Sequence, residues 1–130
     1  MLQIIVYDQL SLTQAIVESS VYAKTKGFPL KKVEYIKTIV SELGTNLLKY
    51  ASRGSIKVTW LRDRHPRAIQ IESIDRGPGI QNLELAMKDN YSTGNTLGLG
   101  IPGIKRMSDE FEIDSVPDQL TRVISRIFLD

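Results

Sequence analysis

The sequence predicts an α+β protein, a two-layer α/β sandwich in which helices cover one face of a mixed, mostly antiparallel sheet. Apolar alternation comes in pairs joined by short turns. Ile56, Val58 and Trp60 alternate with Lys57 and Thr59, and beyond the turn at Arg62-Asp63-Arg64-His65-Pro66-Arg67 the residues Ile69 and Ile71 alternate up to Asp75. A second pair, Phe111 to Val116 and Leu120 to Phe128, flanks Pro117-Asp118. Between the groups, Val33, Ile36, Val40, Leu43, Leu47 and Tyr50 step by three and four, the stripe of a long helix with one buried face. Strands grouped in hairpins with helices between the groups make the α+β pattern, distinct from the regular alternation of a parallel sheet.

In chain order, Leu2 to Tyr7 reads as a short strand. Ser11-Leu12-Thr13-Gln14 has the form of a capping box and opens a helix through about Lys26, stopped by Gly27 and Pro29. The long helix runs from about Lys31 to Ser52 and Gly54 closes it. The strands of the first hairpin follow, then a short helix around Asn82 to Lys88 and a polar, turn-forming lid from Asp89 to Thr96. Ile101 to Met107 forms another helix ahead of the final hairpin. Repeats, low-complexity segments and linkers are absent, so residues 1–130 are expected to form one domain.

Composition narrows the chemistry. There are no cysteines, which excludes disulfides, thiol catalysis and cysteine-ligated metals. The single histidine, His65, lies beside Pro66 in a polar turn, so a histidine-centred triad or a two-histidine metal site is not expected. Lys and Arg number 17 against 15 Asp and Glu, a net charge of +2 without a basic cluster interleaved with aromatics; no nucleic-acid partner is expected. The N-terminus lacks the pattern of a secretory leader and no run approaches membrane-spanning length, so the expected setting is the cytoplasm, with no membrane partner.

Three short motifs carry the functional signal. In Ser41-Glu42-Leu43-Gly44-Thr45-Asn46, a carboxylate and a carboxamide sit four residues apart on the long helix, so both leave the same face. That pairs an acid for proton handling with an oxygen donor for a metal. Asp75-Arg76-Gly77-Pro78-Gly79 places an acid at a strand end, followed by two glycines that admit close approach of backbone to a ligand. Gly98-Leu99-Gly100-Ile101-Pro102-Gly103 runs into a helix whose free N–H groups suit a phosphate chain. Each motif alone has a plainer reading: an exposed polar helix pair, a turn after a strand, a flexible helix entry. The Walker lysine is missing, and the GxGxxG spacing does not follow a strand in a βαβ unit, so P-loop and Rossmann sites are disfavoured.

Taken in this order the motifs resemble the N, G1 and G2 boxes of the GHKL ATPase superfamily, which includes gyrase, histidine kinase and MutL ATP-binding domains of the Bergerat fold. Within it, Ser41-Glu42-Leu43, Asp75 to Ile80, Tyr91-Ser92-Thr93 and Gly98 to Phe111 look most like the small switch serine/threonine kinases of the RsbT type, from bacterial partner-switching and stressosome pathways. The resemblance implies ATP and Mg²⁺ as ligands. It implies that Asn46 holds the metal through its carboxamide oxygen and that Glu42 orients or deprotonates the attacking hydroxyl. Asp75 would accept a hydrogen bond from the adenine amino group, Gly77 and Gly79 would pack under the base, and Gly98, Gly100 and Gly103 would meet the phosphates. Lys49 and Arg53 follow Asn46 along the helix, where either phosphate contact or a solvated helix end fits. Leu120 precedes Thr121 where the family often carries glycine.

The implied activity is ATP-dependent phosphorylation of a small STAS-domain antagonist protein, after which the kinase activates a PP2C-type serine phosphatase regulator of the stress response. The alternatives are an anti-sigma-factor kinase of the RsbW or SpoIIAB type and a non-catalytic, nucleotide-gated binding module. A detached histidine-kinase domain is disfavoured, because no dimerising hairpin with a phosphoacceptor histidine is present.

Overall fold

The computed structural model describes residues 1–51, 54–75, 100–116 and 120–130. Strand β1 (Leu2–Val6) leads into helix α1 (Gln9–Thr25), and α1 is followed by the long helix α2 (Leu30–Tyr50). The hairpin β2 (Gly54–Leu61) and β3 (Ala68–Asp75) comes next, then helix α3 (Gly100–Met107) and the hairpin β4 (Glu110–Val116) and β5 (Leu120–Phe128). The strand order across the sheet is β1-β2-β3-β5-β4, and all four pairings among the described residues are antiparallel. The short helix expected around Asn82 to Lys88, the lid from Asp89 to Thr96 and the Pro117-Asp118 turn lie outside the described residues.

Helix α1 begins earlier than the Ser11 capping box predicts. Its N-cap is Asp8, whose carboxylate accepts the Ser11 N–H at 2.7 Å while Ser11 Oγ accepts the Asp8 N–H at 3.1 Å. The aspartate takes the cap because the Ser11 hydroxyl is enclosed within the first turn, where it also accepts the Tyr7 N–H at 3.0 Å. The exit matches expectation: Gly27 adopts φ 88°, the left-handed conformation that ends the helix at low steric cost. Pro29, extended at φ −68°, then serves as N-cap of α2.

In α2 the stripe Val33, Ile36, Val40, Leu43 and Leu47 is buried, and Ile39 joins it. Gly44 explains the close crossing of α1 over α2. A Cβ there would collide with the Leu12 Cδ1 of α1 and touch Ile56 Cδ1 at 3.6 Å. Ile56, Val58, Ile69, Ile71, Val123 and Ile127 meet these helices from the sheet, which makes one apolar layer between sheet and helices. The opposite sheet face is polar: Arg122 pairs with Glu72 at 2.5 Å, and Arg126 with Glu112 at 2.7 Å and Gln70 at 2.8 Å.

Gly54 corrects one expectation. It does not close α2 but opens β2, opposite Val6. A Cβ at this position would meet the Leu47 side chain and lie 2.7 Å from the Ile74 carbonyl oxygen, a backbone atom that cannot swing aside. Gly54→Val is therefore expected to destabilise the fold by about 1–3 kcal/mol, as overpacking does, measured by chemical denaturation; an unchanged midpoint would contradict this packing.

Candidate functional site

The C-terminal half of α2 positions the first motif. Glu42 and Asn46 leave one side of the helix, at the shoulder of the buried stripe. Glu42 is only 7% exposed, whereas Asn46 is half-buried. Burial pushes the Glu42 carboxyl above its ordinary value, and two influences oppose this: the backbone N–H of Gly100, which donates to the carboxylate, and the charge of Lys49. Gly100 opens α3 with φ 53°, so its N–H belongs to the free donors of a helix N-terminus. The acid of the first motif and the helix entry of the third thus meet at one point. Gly103 is buried inside α3, two positions before Lys105 and Arg106 bring charge to its last turn.

Asp75 ends β3, and in the register of the sheet it faces Thr121 of β5. Side-chain alternation puts Asp75 on the same face as Ile69, Ile71 and Ser73, the face that carries the helices. Thr121 is buried, and its hydroxyl lies 3.1 Å from Ser115 Oγ. Val6, Gly54, Asp75, Thr121 and Ser115 therefore form one row across the sheet end. Leu47 packs over Gly54 beside Ile74, which sets the end of α2 above this row. The position of Thr121 was legible from its place near the start of the last strand, but its burial against Ser115 depends on pairing with β4.

Gly77, Gly79, Gly98 and Arg53 lie outside the described residues. Glu42, Asn46, Asp75, Gly100 and Gly103 stand on three elements that meet at the same end of the sandwich. Among the described residues no three His, Asp or Glu converge as a metal cage, and no helix is long and apolar enough to cross a membrane.

Comparison with known proteins gives the family and the fold. Residues 7–126 match the family described as histidine kinase-like ATPase domain. The serine/threonine-protein kinase RsbT of Bacillus subtilis is 39% identical over 101 residues, covering 78% of this chain and 76% of RsbT. An anti-sigma F factor of Caldanaerobacter subterraneus is 33% identical over 98 residues, covering 72% of this chain and 68% of that protein. In fold, the chain is similar to a chain in the crystal structure of the SiaB-SiaC complex from Pseudomonas aeruginosa, with a TM-score of 0.72 at 10% identity over 98% of this chain and 90% of that one. The chain belongs to the histidine kinase-like ATPase family, as a protein serine/threonine kinase similar to RsbT.

Proposed function

We propose that this kinase transfers the γ-phosphoryl group of ATP to a serine or threonine of a STAS-domain antagonist protein, and that release from the phosphorylated antagonist frees it to activate a PP2C-type phosphatase regulator. The observation that carries the chemistry is the enclosed Glu42 carboxylate at the N-terminus of α3. A carboxylate with a raised pKa is suited to take the proton of an attacking hydroxyl. The hydroxyl oxygen then forms the new bond to phosphorus as the bond to the ADP oxygen breaks, and ADP leaves.

Asn46 supplies one neutral oxygen and would hold a Mg²⁺ ion together with the phosphates of ATP, oxygen ligands that suit a hard cation. The ion's chemistry is neutralisation of phosphate charge, which together with positioning accounts for most phosphoryl-transfer catalysis. Asp75 accepts the adenine amino group at the sheet end, and the free N–H groups of α3 receive phosphate oxygens. The glycines Gly77, Gly79, Gly98 and Gly103 let backbone approach the nucleotide.

Incubation with labelled ATP, Mg²⁺ and a purified STAS-domain protein tests the reading: a phosphoserine or phosphothreonine on the STAS protein, followed by loss of its complex with the kinase, is expected. The likeness to anti-sigma F factors supports a second reading, in which a sigma factor is bound directly. Tight binding of a sigma factor, with no affinity for the STAS protein or the phosphatase regulator, would favour it.

The pocket itself makes a separate prediction. ATP with Mg²⁺ is expected to raise the melting temperature, GTP much less, and Asp75→Asn to weaken ATP binding by about tenfold, since a carboxylate accepts a stronger hydrogen bond than an amide. Calorimetry that shows equal ATP affinity in Asp75→Asn would remove Asp75 from the base contact.

A further inference from the structure

The charges of this chain are not spread evenly. Residues 24–37 hold Lys24, Lys26, Lys31, Lys32 and Lys37 against one acid, Glu34, and the turn from Arg62 to Arg67 adds three arginines against Asp63. The fold brings the two stretches together. Phe28, in the turn between α1 and α2, packs edge to face with Trp60 near the end of β2, the ring centroids 5.9 Å apart, and the Arg67 guanidinium lies over the same indole at 5.9 Å. Eight of the 17 basic residues thus stand toward one end of the sandwich. It is the end away from the nucleotide site: Leu30 opens α2 here, and Glu42 lies about 18 Å further along the helix axis.

Several of these cations are already committed. Arg64 pairs with Glu110 at 2.8 Å, Arg67 with Asp130 at 2.7 Å and Lys37 with Glu34 at 3.5 Å, while the Lys32 ammonium donates to the Phe128 carbonyl at 2.5 Å. Lys24, Lys26 and Lys31 have no carboxylate within ion-pair distance among the described residues. Two of the three are nonetheless held in place. Lys26 Nζ lies 5.0 Å from the centroid of the Tyr22 ring and Lys31 Nζ 5.9 Å from that of Tyr35, so each ammonium rests on an aromatic face and keeps N–H groups for an anion. Part of the side-chain freedom that a surface ion pair must give up is therefore lost in advance. Between Lys24 and Lys37 the exposed large apolar side chain is Leu30, 70% exposed.

We infer that the corner formed by Lys24, Lys26, Leu30 and Lys31 docks a short acidic segment of a partner protein, with its carboxylates on the three ammonium groups and one apolar side chain over Leu30. Opposite charge steers the encounter, and Leu30 fixes where the segment sits. The corner suits a short peptide and not a longer polyanion. Carboxylates border it, Glu34 one turn into α2 and Asp63 and Asp130 at the adjoining turn, so a continuous phosphate backbone would run onto like charge where a short segment ends. The aromatic faces that could stack bases are taken: Lys26 and Lys31 lie over Tyr22 and Tyr35, and Phe28 and Arg67 lie against Trp60. One exposed leucine is too little to anchor the corner in a bilayer. Docking at this end leaves Glu42 and the N-terminus of α3 open, so a protein held here and a phosphoacceptor at the nucleotide end do not exclude one another.

Fluorescence anisotropy of the whole chain with a short labelled peptide of aspartate, glutamate and leucine tests this. Binding is expected at low ionic strength and should weaken as salt is raised to about 0.15 M, where exposed charges are screened beyond roughly 8 Å. Lys26→Gln combined with Lys31→Gln should weaken it by about fivefold or more, and Leu30→Ser by about threefold. Lys57→Gln, on the outer face of β2, should leave it unchanged. Far-UV circular dichroism and ATP binding should match the parent chain in every variant. No binding at low salt, or equal affinity in the double variant and in Lys57→Gln, overturns the inference. Binding indifferent to Leu30→Ser also overturns it, because the corner would then act as diffuse charge alone. Single-stranded DNA or phosphatidylserine vesicles bound more tightly than the peptide, with that binding lost in the double variant, would overturn it too and assign the corner to that polyanion. Because ATP binding and phosphotransfer are read separately, failure here is distinguishable from failure of the proposed function.

Discussion

Glu42→Gln is expected to lower phosphotransfer to the protein substrate by about 10²–10⁴-fold, the usual contribution of a general base, while ATP affinity changes little. The amide keeps the size of the carboxylate and can still accept the Gly100 N–H through its carbonyl oxygen, so the site keeps its shape and loses the proposed base. The pH profile gives a second readout. A base must be ionised to work, and burial raises the Glu42 pKa, so activity should fall as pH drops through a value above that of an ordinary glutamate. In Glu42→Gln that acidic limb should vanish from kcat. Single-turnover assays across pH with a saturating substrate protein measure both effects. Full activity in the amide variant, or an unchanged acidic limb, would move the base elsewhere.

How much of this site can be read from the chain depends on the kind of information each residue carries. The Glu42 and Asn46 pair was legible because helical spacing alone puts both on one face. Asp75 was legible as the acid that ends an alternating strand. What periodicity could not supply was the meeting of Glu42 with Gly100, residues far apart in sequence that are joined by packing of α3 against α2. The pairing of Thr121 opposite Asp75 likewise needs the register of β3 with β5, which no local pattern encodes. Misplaced boundaries have local causes. Asp8 outcompetes Ser11 as cap because the serine is enclosed in the turn, and Gly54 serves a strand because Leu47 and the Ile74 carbonyl leave no room for a side chain.

The second large effect is expected at Ile104. α3 is anchored by this fully buried side chain, aided by Ile101, which is 7% exposed, and Ser108 closes its end by bonding to the Ile104 carbonyl and to Ser125, both at 2.6 Å. Ile104→Ala is expected to cost about 2–5 kcal/mol of stability, the range for removing a buried branched side chain. That is survivable for a domain with roughly 5–15 kcal/mol in hand. Ile36→Ala in the middle of α2, equally buried, should cost a similar amount. The two should part in function. Ile104 holds the helix whose first N–H groups face Glu42 and are proposed to receive phosphate, so its loss should weaken ATP binding beyond what fractional unfolding explains. Ile36 lies nearly two turns before Glu42, and its variant should bind ATP normally wherever it is folded. Denaturation curves together with calorimetry at a temperature where both variants remain folded make the comparison. Equal ATP affinity in the two variants would mean that the seating of α3 does not govern the phosphate end of the site.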